Sequence, residues 1–245
     1  MMAAADTTAR MPEASGGGHT RFGRALYAVL WVLTRTLAVS VFGFRVRFAE
    51  KLPARGGLLV LSSHQSHLDP LLLGLATDRR LSSLARSTLY RFKPFGFVIT
   101  ALDAVPIDRE SSPVAGMRAV IERLKRGAAV IMFPEGTRTA TGRLGEIKGG
   151  LSVVAKRAGV PIVPVAIVGA YECWPRSRRW PRPGRIRLEF GRIMWPAEIA
   201  ALDDAALTAE VATRLRDLDA AARAARDGLP VTAGSVPLPA TAGPA

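Results

Sequence analysis

The chain has 245 residues, 49% of them hydrophobic and 22% charged, with a net charge of +14. That length and apolar content exclude a wholly disordered chain and fit one α/β domain with tails. The charge suits an anionic partner such as nucleic acid, an acidic membrane surface or a phosphorylated substrate. Cys173, the single cysteine, excludes an internal disulfide and fits a reducing compartment.

In chain order, residues 1–22 are rich in Ala, Gly and Thr and are expected to form a disordered tail. Residues 23–48 read as a membrane-associating helical segment. Ala25 to Phe44 is apolar apart from Arg35 near its middle. A central Arg costs roughly 2.5–3.5 kcal/mol on insertion, whereas each Leu, Val or Phe returns roughly 0.3–0.6 kcal/mol, so spanning comes out close to neutral. Leu26, Val29, Leu30, Leu33, Leu37 and Val41 fall on one helical stripe, with Arg24 and Arg35 opposite. The stripe favours a helix lying in the membrane interface or packed on the domain; a spanning helix stays open. Arg45 and Arg47 stand where a signal peptide would carry its cleavage site, which argues against one.

Gly57–Ser62 reads as a buried strand, and Asp69-Pro70 opens a helix running to about Ala76, with Asp69 at the N-cap and Pro70 at N1. Strands follow near 81–86, at Ala104–Ile107 and at Ala128–Phe133, the last two separated by a helix over Ser112–Arg126. Gly150–Ala158 reads as a helix capped by Gly159, Val160–Val168 as a strand broken by prolines, and Arg185–Phe190 as an edge strand. Ala197–Arg226 reads as one alanine-rich helix, and residues 228–245 as a second disordered tail. Alternating strands and helices predict an α/β fold with a mostly parallel central sheet flanked by helices, its reactive loops at the strands' C-terminal ends.

Two motifs fall at such ends. Ser62-Ser63-His64-Gln65-Ser66-His67-Leu68-Asp69-Pro70 places a histidine five residues from an aspartate. A histidine is the readiest base near neutral pH, and its ring needs a partner to fix the tautomer. Spacing alone leaves two readings open: Asp69 orients His64 as a base, or Asp69 only caps its helix. His67 raises the question of a metal, but three or four protein ligands would be needed and the remaining histidine is His19 in the tail, so no metal is expected. No G-x-S-x-G elbow supports a serine nucleophile.

The second motif, Phe133-Pro134-Glu135-Gly136-Thr137-Arg138, offers backbone N–H groups near Gly136 and Thr137 and a guanidinium suited to phosphate. Glu135 could orient Arg138 or bind a substrate hydroxyl. Arg109 and Lys148 supply further cations at loop ends, Lys148 just before a helix N-terminus. Between Trp174 and Trp195, seven arginines interleave with Trp180, a pattern that fits either an anionic lipid interface or a solvated connection.

SSHQSHLDP, VPIDR, FPEGTRT with the following IKGG, and VPIVPVAI stand in the order of the four blocks of the 1-acylglycerol-3-phosphate acyltransferase family, which this chain resembles from about Phe42 to Gly191. The resemblance implies that His64 is the general base and Asp69 its orienting partner, and that Arg109, Glu135, Gly136, Thr137 and Arg138 hold the glycerol-phosphate acceptor, with Lys148 a plausible addition. It implies an acyltransferase domain over 49–227, with a lysophospholipid acceptor and an acyl-CoA or acyl-carrier-protein thioester donor as co-substrate. No separate cofactor is expected, and the site is expected at the cytoplasmic face of the cell membrane, on an anionic surface. Asp103 stands where the family usually has Gly, Thr139 where Ser is common, and Ile147 where Phe is common.

The expected reaction is acylation of 1-acyl-sn-glycerol 3-phosphate to phosphatidic acid, in phospholipid biosynthesis. Another lysolipid or polyol acceptor is the nearest alternative. A basic nucleic-acid-binding protein is a more distant one, and it leaves both motifs unexplained.

Overall fold

The structure is a computed structural model that describes residues 21–86, 105–107 and 113–228. Arg109, Asp103, His19, the aromatic stretch through Phe97 and both predicted tails apart from Arg21, Phe22 and Gly228 lie outside the described residues. The elements run α1 (Arg21–Phe42), β1 (Arg45–Phe48), β2 (Leu58–Ser62), α2 (Asp69–Ala76), β3 (Leu81–Arg86), β4 (Val105–Ile107), α3 (Pro113–Lys125) and β5 (Ala129–Met132). They continue with α4 (Gly150–Ala158), β6 (Ile162–Val168), α5 (Ala170–Cys173), β7 (Arg187–Phe190), α6 (Pro196–Ala201) and α7 (Asp204–Asp227).

The seven strands form one sheet in the order β1-β7-β6-β2-β5-β3-β4. Every neighbouring pair is parallel except β6–β7. Burial on both faces explains why β2, β5 and β6 are nearly continuous apolar runs rather than alternating ones. In β2, Leu58 and Val60 enter the core shared with Phe42 of α1 and Leu72, Leu73 and Leu75 of α2. Leu59 and Leu61 point the other way, into a core with Val120 and Leu124 of α3, Val154 of α4 and Leu207, Val211 and Leu215 of α7. Truncating any of these fully buried leucines to Ala is worth about 2–5 kcal/mol.

Four expectations are corrected here. The 185–190 segment is not an edge: β7 lies between β1 and β6, and Leu188, Glu189 and Phe190 are all buried. Its alternation reflects a carboxylate tolerated inside, because Arg47 pairs in register with Glu189 and Arg187 stands 3.9 Å from it. The edge is β1, which the sequence reading had absorbed into the 23–48 helical segment. Prolines do not break β6, which runs over Ile162–Val168: Pro164 keeps its place opposite Leu61 of β2, and its carbonyl accepts from Gly191 N at 2.8 Å. The C-terminal helix is two helices, α6 and α7, and Asp203 caps α7 by accepting from Ala206 N at 2.7 Å.

On α1 Leu33 and Leu37 of the expected stripe lie opposite Arg35 and face away from the domain. Arg35 turns toward the domain, half-buried and donating from Nη1 to Leu75 O at 2.5 Å, and Ala38 and Phe42 are buried on the same side, at helical spacing. Leu33 and Leu37 face outward together with Val32 and Val39. No helix among the described residues is long and apolar enough to cross a membrane.

Candidate active site

Strands β2 and β5 are parallel neighbours with Leu61 opposite Met132, so the chain segments that leave their C-terminal ends rise side by side. One carries His64 and the other Glu135. The His64 backbone N–H donates to Glu135 Oε1 at 2.7 Å, and the His64 carbonyl accepts from Thr139 N at 2.8 Å. Glu135 Oε2 accepts a second backbone N–H, that of Gly145, at 2.8 Å. Burial pushes the Glu135 carboxyl above the usual carboxylate range, against the pull of these two amide bonds.

The His64 ring stacks on Phe133, with centroids 3.8 Å apart and planes 14° from parallel. Its Nδ1 lies 2.8 Å from Asp69 Oδ2. A carboxylate only accepts, so Nδ1 carries the hydrogen and the Nε2 lone pair is left for a proton from outside. The His64 side chain is 19% exposed, so the ring is not sealed from substrate.

Asp69 is not the N-cap of α2. Leu68 holds that place, without a side-chain cap, and Asp69 is the first helical residue with Pro70 second. The Asp69 carboxylate turns away from its helix: Oδ2 accepts Gln65 N at 2.6 Å and Ser66 N at 2.8 Å besides the histidine. Those two amides close the turn between base and partner, so one buried oxygen shapes the loop and orients the ring. Oδ1 is buried without a hydrogen-bond partner among the described residues.

The expected anion loop is present in altered form. Gly136 N–H is spent within its own turn on Phe133 O at 3.0 Å, so it is not a donor for a ligand. Gly136 serves by having no side chain: its φ is +70°, and an added Cβ would lie 3.0 Å from Lys148 Nζ. Lys148 is drawn to the loop by its own N–H, which donates to Pro134 O at 3.0 Å. Thr137 is exposed at the loop tip. Glu135, expected to touch acceptor or Arg138, is instead buried and given to backbone amides.

His67 belongs to this cluster without a metal role. Arg138 Nη1 lies 2.6 Å from its ring nitrogens, and the ring packs against Trp174 at 5.3 Å. Burial, then the adjacent guanidinium, lowers the His67 pKa, which keeps it a neutral acceptor for Arg138. Phe133, Thr139 and Gln65 were also missed as positioning residues. Gln65 is buried and spans from Gly142 O at 3.1 Å to Tyr171 N at 3.4 Å. Its place in the sequence between His64 and His67 was the available signal.

A mostly parallel α/β sheet with an oriented histidine at one strand end, beside cations from the next, defines an enzyme of the group-transfer or hydrolytic kind. Residues 43–168, just over half of the chain, match the family described as Acyltransferase, and the chain belongs to that family. It is 32% identical over 163 residues to a 1-acyl-sn-glycerol-3-phosphate acyltransferase of Pseudomonas aeruginosa, covering 65% of this chain and 62% of that one. Against the protein of that description in Bacillus subtilis the identity is 28% over 183 residues, 72% of this chain and 88% of the relative. A chloroplastic relative from Arabidopsis thaliana is 32% identical over 154 residues, 60% of this chain but 42% of its own length. The chain thus spans less than two thirds of the plant and Pseudomonas relatives. Its fold is that of the crystal structure of the 1-acyl-sn-glycerophosphate acyltransferase PlsC from Thermotoga maritima, with a TM-score of 0.64 at 24% identity over 86% of this chain and 84% of that one.

Proposed function

We propose that the protein transfers a fatty acyl group from an acyl thioester to the free hydroxyl of 1-acyl-sn-glycerol 3-phosphate, giving phosphatidic acid. The observation that carries the reading is the contact of His64 Nδ1 with Asp69 Oδ2 at 2.8 Å, which leaves Nε2 as a base. Relatives from several organisms that bear the name of this activity support the choice of acceptor.

In the proposed step Nε2 takes the hydroxyl proton as the oxygen attacks the thioester carbonyl, forming a new C–O bond. Asp69 stabilises the imidazolium that results. When the tetrahedral intermediate collapses, the C–S bond breaks and the departing thiolate takes the proton back from Nε2. Nothing is oxidised or reduced, and the thioester of coenzyme A or acyl-carrier protein is the only co-substrate required. Arg138 and Lys148 supply positive charge for the acceptor phosphate, and Arg109 belongs to the same proposal. The enzyme acts at the cytoplasmic face of an anionic membrane, where its acceptor resides.

The test presents one labelled acyl thioester to a panel of lyso-acceptors and weighs the products. Phosphatidic acid as the dominant product is expected. Transfer to a headgroup-bearing lysolipid or a polyol in preference to lysophosphatidate would overturn the choice of acceptor.

A further inference from the structure

A strap of chain runs from the mouth of the site to the end of α1. At one end Ser66 Oγ donates to Trp174 O at 2.7 Å, and Trp174 packs on His67. At the other, Gly184 N donates to Val41 O at 3.3 Å and Ile186 N to Phe42 O at 2.8 Å, splicing the strap to the C-terminal turn of α1. Its course is fixed rather than loose: Trp174 Nε1 donates to Arg178 O at 3.1 Å, and Arg182 N donates to Cys173 O at 2.8 Å.

What this braced segment shows to solvent is unusual for a connection. Arg176, Arg179, Arg182 and Arg185 are exposed, and no carboxylate occurs between Glu172 and Glu189 to balance them. Trp180 is 70% exposed, the most exposed large hydrophobic residue of the described chain, and Arg179 lies over its ring at 5.7 Å from the centroid. The helix it joins turns Val32, Leu33, Leu37 and Val39 outward while its half-buried Arg35 faces the domain. An indole has an apolar body with a polar edge, and flanking guanidinium groups match anionic headgroups at the same depth.

We propose that residues 174–185 are a membrane-docking strap, with Trp180 inserted among headgroups and Arg179 and Arg182 on their phosphates, so that the site's mouth at His67 and Trp174 opens against the lipid surface. The proposal deepens the lipid-acceptor reading above and rests on it for the purpose of the surface, though not for its existence. An acidic protein such as a carrier of the acyl donor would meet the same cations, but it gives no reason for an exposed Trp on a segment joined to a helix that also turns apolar side chains outward.

The test uses the full chain and sedimentation with vesicles of phosphatidylcholine alone or mixed with phosphatidylglycerol. Each cation held near an anionic surface is worth about fivefold in partitioning, so R179S/R182S is expected to bind the mixed vesicles about 30-fold more weakly, with the difference shrinking at high salt. W180S is expected to lose binding to both vesicle types. All three positions are exposed, and matching thermal melts establish that the variants fold. Turnover of a short-chain monomeric lyso-acceptor is expected to stay unchanged in both variants, while turnover of vesicle-embedded acceptor falls. Wild-type sedimentation of the variants would overturn the strap. Normal vesicle binding with loss only of the carrier-protein donor would overturn it in favour of a protein-docking surface. If the variants lose vesicle binding but wild type acylates no acceptor, the strap stands and the catalytic reading falls.

Discussion

Glu135 accepts the backbone N–H of His64 at 2.7 Å across 71 positions of sequence, which ties the two motifs through a main-chain donor and a buried carboxylate. The residue that looked like a ligand for substrate is a brace for the base. A backbone amide cannot be mutated away, so the brace is open to test only from the Glu135 side.

Glu135→Gln keeps the size but offers an NH2 to one of two backbone donors. A buried donor left without an acceptor costs about 1–3 kcal/mol, which for a domain of this size lowers Tm by roughly 2–4 °C per kcal/mol. We expect the loss of stability together with a fall in kcat, since the His64 loop loses its anchor. A variant with unchanged Tm and turnover would show that the amide contacts do not hold the loop.

For the base itself, His64→Ala is expected to reduce turnover by roughly 10²–10⁴-fold, and Asp69→Asn by a comparable factor because the ring loses the acceptor that fixes its tautomer. Circular dichroism should show an unchanged fold for His64→Ala. Near-wild-type turnover in either variant would exclude the mechanism.

The cation above Gly136 makes a prediction of another kind. Lys148→Met should raise KM for the phosphate-bearing acceptor and leave KM for the acyl thioester nearly unchanged. Equal effects on both would place Lys148 outside the acceptor site.

Glu189 gives a pH signature. Burial raises its pKa despite Arg47 and Arg187 nearby. The folded state therefore holds this proton more tightly than the unfolded chain, whose glutamate titrates near about 4.3. Stability is greatest below that value and falls as pH rises through the folded pKa. Thermal melts of wild type against Glu189→Gln should diverge upward from that pH, wild type losing the more. Parallel Tm profiles would contradict the burial assigned to this side chain.

Cys173 tests the packing beneath the strap. It is buried, and its thiol is pushed up to about 11, mainly by burial and then by Glu172. At neutral pH the thiolate is about one part in ten thousand, so iodoacetamide should leave the native protein unlabelled and label it readily in denaturant. Rapid native labelling would mean that the segment opens.

The base and its partner were legible in sequence because five residues and one turn separate them, and local chemistry suffices to bring them together. Their placement at a strand end was legible for the same reason. The true use of Glu135 was not, because its partners are main-chain amides of His64 and Gly145, and main-chain groups leave no mark on a sequence. The order of strands was also hidden. Arg187-Leu188-Glu189-Phe190 reads as an edge until the neighbouring Arg47 that offsets its carboxylate is known, and β1, the strand that supplies Arg47, is four residues long and follows an apolar helix. That Leu33 and Leu37 stand opposite Arg35 was legible from helical spacing, whereas the carbonyl acceptor that Arg35 finds on α2 was not.

The pairing of Leu61 with Met132 has a consequence for how the protein tolerates change. His64 and Glu135 each lie three positions beyond that pair, so the two loops are metered from a common mark by main-chain hydrogen bonds. Exchanging apolar side chains within β2 or β5 leaves that count intact. Adding or deleting a single residue between the mark and either loop shifts one side against the other and separates amide from carboxylate. Insertions at the far edge of the sheet, around β3 and β4, fall outside the count altogether. The contact between amide and carboxylate is therefore sensitive to length in these two short stretches, as the His64–Asp69 contact is to the length of the turn that joins them.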